Sequence, residues 1–109
     1  MNVVVTGPDD AGVADALAAH GATVTRVTDA ATQDRLREAG IDEAALLVVT
    51  DVGDATAIPV AKDRNPDIRA VLYTDDAVPP FVRGQLDLAI DPALLDAGTV
   101  AAELLDDHD

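Results

Sequence analysis

The chain has no cysteine and no tryptophan, and its 109 residues include only one methionine, one phenylalanine, one tyrosine and one lysine. Without cysteine there are no disulfides, no thiolate metal sites and no cysteine nucleophile. With so few aromatics, the core must be built from Ala, Val, Leu and Ile. These are small enough for close packing of helices on a sheet, and the β-branched members favour strands. No apolar run approaches the ~20 residues needed to span a bilayer, so no membrane insertion is expected. Met1-Asn2-Val3-Val4-Val5 enters strand-like sequence directly, with no basic leader and no small-residue cleavage site. A cytoplasmic location is the expectation.

Positive charge is also scarce. Seven basic residues face 21 acidic ones, giving a net charge of −14, and Lys62 is the sole lysine. Phosphate backbones are bound by Lys and Arg, so nucleic acid is excluded as a partner, and anionic membrane surfaces are disfavoured. The acids are spread along the chain, as in whole-surface adaptation to a salt-rich cytoplasm where ions screen self-repulsion. The competing reading is an acidic patch for a basic partner.

What the chain does contain is a regular alternation. Short apolar runs at 3–6, 23–27, 44–50, 68–74 and 86–90 read as strands buried on both faces. Between and after them, helical spacing predicts helices over 12–20, 30–39, 53–65, 78–85 and 92–105. Gly21 and Gly40 supply the C′ stops. Pro66 closes the third helix, whose Pro59 fits a first turn. The last helix is expected to break at Gly98 and restart on Thr99. Residues 106–109, with His108, form an acidic tail expected to fray. The prediction is one α/β domain over 1–109: a Rossmann-like three-layer α/β/α sandwich on a five-stranded parallel sheet. Ligands on such sheets bind beyond the carboxyl ends of the strands.

The loop at 7–12 reads Gly7-Pro8-Asp9-Asp10-Ala11-Gly12. A dinucleotide fingerprint has glycine at the first, third and sixth places. Gly7 and Gly12 fill the outer two, while Asp9 stands where the backbone would approach a pyrophosphate. Asp9 and Asp10 cap the next helix, hold a cation or block phosphate; the sequence leaves all three open. Asp29 follows the second strand, placed to accept ribose hydroxyls or to cap the following helix. Thr6, Thr50 and Thr74 end strands but have no paired base. His20 precedes a helix stop and has no partner residue. No acid, base and nucleophile converge, so no enzyme is expected.

These segments together resemble the nucleotide-binding domain of the Trk-type potassium-uptake regulators (the RCK or TrkA-N family). The resemblance rests on Val3-Val4-Val5 before a glycine turn, an Ala/Leu helix ending at Gly21 and a second strand ending at Asp29. It continues through Ala39-Gly40-Ile41-Asp42-Glu43-Ala44 before Leu47-Val48-Val49-Thr50-Asp51, and Leu88-Ala89-Ile90-Asp91-Pro92 near the end. It implies a regulatory ligand such as NAD(H) or an adenine nucleotide, contacted by Gly7, Asp9, Gly12, Asp29, Thr50 and Asp51, and a potassium-transport component as partner. Asp9 departs from the pattern, so the expected module binds nucleotide weakly or not at all.

Two alternatives stand beside it. One is a scaffold or protein-interaction domain, homodimeric through an edge strand or through the Ala-rich helix at 99–105. The other is a receiver-like domain. Receivers use an acidic pair after the first strand, a phosphoacceptor Asp after the third, Ser/Thr after the fourth and Lys after the fifth. Asp9-Asp10, Asp51 and Thr74 fit the first three roles, but the fifth strand ends in Asp91-Pro92, with no lysine.

Overall fold

The continuous runs of Val and Leu become central strands, as residues buried on both faces must. In the computed structural model, which describes residues 1–106, the strands are β1 (Asn2–Thr6), β2 (Thr23–Val27), β3 (Leu46–Val49), β4 (Arg69–Tyr73) and β5 (Leu88–Ile90). All neighbours are parallel, in the order β2-β1-β3-β4-β5. The helices are α1 (Val13–Ala19), α2 (Gln33–Glu38), α3 (Ala57–Arg64) and α4 (Ala97–Asp106). Alternate strand residues divide the core. Val3, Val5, Leu46, Val48, Val71 and Tyr73 pack with Val13 and Leu17 of α1 and Val100 and Leu104 of α4. Val4, Leu47, Val49, Ala70 and Leu72 pack with Leu36 of α2 and Ile58 and Ala61 of α3. The expected five-stranded parallel α/β/α sandwich is therefore the observed fold. Its strand order is the flavodoxin-like variant of the doubly wound sheet.

Local chemistry sets most boundaries. At the end of α1, Ala22 N–H donates to Leu17 O and Gly21 N–H to Ala18 O, with Gly21 at φ 98°, a Schellman stop. Pro59 is the third residue of α3, where its missing N–H costs no helical bond. Elsewhere the expectations change. Asp29 does not cap α2; the Thr32 hydroxyl does, accepting from Arg35 N–H at 3.3 Å. The last helix does not break at Gly98. It starts at Ala97, with Asp96 accepting from Thr99 N–H at 2.8 Å. The helix expected at 78–85 is only a 3-10 turn, Pro80–Val82, because Pro80 holds the residue before it, Pro79, in extended backbone at ψ 137°, so no helical turn can start earlier. The residue 107–109 part of the tail, with His108, lies outside the described residues. Among the described residues no helix is long and apolar enough to cross a membrane.

The one lysine is spent on holding β5. Lys62 Nζ donates to Ile68 O at 2.6 Å and to Asp87 Oδ2 at 2.9 Å, and the same carboxylate accepts from Ala70 N–H at 2.7 Å. This cluster sits at the amino end of β4 and β5. Burial pushes the Asp87 carboxyl up, but the Ala70 N–H and the Lys62 ammonium outweigh it, and its pKa lies below the ordinary 3.8. A depressed folded-state pKa stabilises the fold above the unfolded value, and that stability is lost as pH falls through the folded value. Asp87→Asn should thus cost about 1 kcal/mol at neutral pH, a charged hydrogen-bond loss discounted for partial exposure. In urea melts the gap to wild type should close on acidification below the ordinary carboxylate pKa. A gap that stays constant into that range would contradict this assignment.

Candidate functional site

Because β1 lies between β2 and β3, the chain leaves β1 and β3 toward opposite neighbours. In such sheets this switch point opens the crevice that takes ligands. Here Thr50, the residue after β3, occupies it. Its hydroxyl is within hydrogen-bond reach of two carbonyls, Thr6 O at 2.9 Å and Pro8 O, and donates to one at a time. Gly7 lies beneath at φ 88°, and a Cβ there would stand 2.6 Å from Thr50 Oγ1. The glycine is needed for close approach, as the fingerprint logic expects, but what approaches is a threonine hydroxyl. On its other side the loop is tied to β2. Gly7 N–H donates to Val27 O at 3.3 Å, and Arg26 donates to Gly7 O at 2.8 Å.

Asp9 settles its own role by position. Its carboxylate accepts from Val13 N–H at 2.7 Å and Ala14 N–H at 3.0 Å, across the first turn of α1. Its side chain is only 9% exposed, with Arg26 at 3.9 Å. The place where a helix would receive a phosphate is filled by the chain's own anion. Gly12, at φ 77°, turns the chain into α1, its N–H donating to Asp9 O at 3.1 Å.

The loop 7–9, stitched down by Thr50, separates two open clefts. The first, about 230 Å³, is lined by Pro8, Asp9, Asp10, Thr50, Thr74 and Asp75 among others, with Tyr73 at its floor. The second, about 410 Å³, is lined by Gly7, Arg26, Asp29, Asp51 and Asp54 among others. The six expected nucleotide-contacting residues are thereby divided. Asp9 and Thr50 fall in the first cleft, Gly7, Asp29 and Asp51 in the second, and Gly12 in neither. The receiver constellation divides the same way, with Asp9, Asp10 and Thr74 on one side and Asp51 on the other.

Asp51 Oδ1 accepts from Gly53 N–H at 2.8 Å, capping a 3-10 turn (Val52–Asp54). Asp29 pairs with Arg35 at 3.1 Å, both exposed. Thr74 Oγ1 accepts from Asp76 N–H at 3.3 Å. Tyr73 donates to Leu95 O at 2.9 Å, and burial with the charges of Asp96, Asp9 and Asp91 raises its pKa. Burial, then the Asp51 charge, raises that of Asp54. The Thr6 hydroxyl is fully buried without a partner among the described residues, out of reach of any substrate. His20 is the exposed C-cap of α1. Among the described residues no three His, Asp or Glu gather closely enough to hold a metal.

Parallel strands send every carboxyl-end loop to one side, so Asp9, Asp10, Asp29, Asp51, Asp54, Asp75, Asp76 and Asp91 share one end of the molecule. Arg26 and Arg35 are the cations paired there, while Lys62 and Arg64 are engaged with Asp87 and Asp42 elsewhere. The signal was present as an Asp within three residues after every strand.

This is a doubly wound α/β architecture with flavodoxin-like strand order. The family model that matches, over residues 3–104, is "Family of unknown function (DUF7126)", and the chain belongs to that family. No curated protein matches it in sequence. Among solved structures it is similar to a putative pilus assembly protein, CpaE, from Burkholderia thailandensis, with 21% identity and a TM-score of 0.69 over 97% of this chain and 96% of that one. It is similar to HP1043, an orphan response regulator of H. pylori, with 13% identity and a TM-score of 0.74 over 97% and 94%. It is also similar to a response regulator from Burkholderia pseudomallei that carries a phosphorylated aspartic acid, a calcium ion and citrate, with 18% identity and a TM-score of 0.63 over 98% and 72%. These findings overturn the resemblance to Trk-type regulators, and the nucleotide-binding and potassium-transport expectations that rested on it lose their support. The topology gives the physical reason. In a dinucleotide-binding sheet β2 lies between β1 and β3, whereas here β1 does. The segments that carried the resemblance are common to both sheets.

Two substitutions test the site as described. Thr50→Val keeps the shape and loses the hydroxyl, and Asp9→Ala removes the α1 cap. Each should lower stability by about 1–2 kcal/mol in denaturant titration. An Asp9→Ala protein as stable as wild type would show that the carboxylate is not the cap.

Proposed function

We propose that this chain is a receiver-like domain that works without phosphotransfer, as a non-enzymatic protein-docking module. One observation carries the reading: among the described residues the carboxylates a receiver would bring together do not gather into a cation site, and Asp9, Asp51 and Thr74 are each already bonded to the fold. Asp51, the candidate acceptor, caps a turn in a different cleft from Asp9, Asp10 and Thr74. Thr50, which does line that cleft, is held by Thr6 O and Pro8 O.

Charge supports the same reading. A phosphoryl group needs compensating cations, and Asp91 follows β5 where a receiver has lysine. Lys62 is held against Ile68 O and Asp87 at the amino end of the strands. A phosphate entering between Asp9, Asp10 and Asp75 would meet like charges at close range, a repulsion on the order of 1 kcal/mol or more per pair even with solvent screening. The solved response regulator with a phosphorylated aspartic acid has a similar fold; the fold is what the two have in common.

The test is incubation with acetyl phosphate and Mg²⁺ in molar KCl, read by intact mass. The expected result is no phosphoryl adduct, and no change in the amide NMR spectrum around residues 7–12, 50–54 and 74–76 when beryllofluoride is added. A stoichiometric, hydroxylamine-labile adduct mapping to Asp51 would overturn the proposal.

A further inference from the structure

We draw no further inference here: the strongest candidate, the apolar β5 edge with the trough lined by Val78, Leu86 and Leu88 beside it, carries nothing because nothing in the structure shows what covers it.

Discussion

The Thr50 hydroxyl, bonded to the carbonyls of Thr6 and Pro8, determines what the carboxyl end of this sheet can do. Parallel strands whose order in the sheet reverses at β1 would leave a crevice between the first and third loops. One side chain closes it. The closure depends on a glycine, because no other residue at position 7 leaves room for that hydroxyl or adopts φ 88° without strain. From this contact follow the separation of two clefts, the isolation of Asp51 from Asp9 and Asp10, and the anchoring of the loop that delivers Asp9 to α1.

Within that frame the acidic residues act mainly as structural parts. Asp9, Asp51 and Asp96 each accept from a backbone N–H near the start of a helix or turn. Such caps favour a negative charge at a helix N-terminus, and they remove from the crevice the groups that would engage a ligand. Arg64 grips Asp42 through two hydrogen bonds at 2.8 Å, and this holds the Asp42 carboxyl below the usual carboxylate range. Arg26, Arg35, Arg37, Lys62 and Arg64 are each paired with a local Asp, and Arg26, at the crevice, is shared with Asp9 and Gly7 O.

Much of the fold was legible because it depends on short-range chemistry. Val3–Val5 and Leu46–Val49 read as strands since residues buried on both faces are continuously apolar, and Gly21 read as a helix stop because its φ demands glycine. Strand order was not legible. Whether β3 pairs with β1 or lies beyond β2 depends on which way a crossover packs, and the segments that suggested a Trk-type domain occur in either arrangement. The segment 78–85 was read as a helix opened by Val78-Pro79-Pro80, but a residue before proline is pushed to extended backbone, and only the Pro80–Val82 turn forms. At the site, Gly7 was read as a fingerprint glycine and Asp9 as the departure from it, and Asp9 accepts from the first turn of α1. The partner that explains Gly7, Thr50, stands 43 positions away, and no local pattern connects them.

The closure itself is best tested by a double-mutant cycle on Gly7→Ala and Thr50→Ala, read by denaturant unfolding. Gly7→Ala alone should be costly, combining positive-φ strain with the clash at Thr50 Oγ1. Thr50→Ala removes the clashing atom, so the double variant should be more stable than the sum of the single losses by about 1 kcal/mol or more. Additivity within about 0.5 kcal/mol, the behaviour of residues that do not touch, would contradict the account.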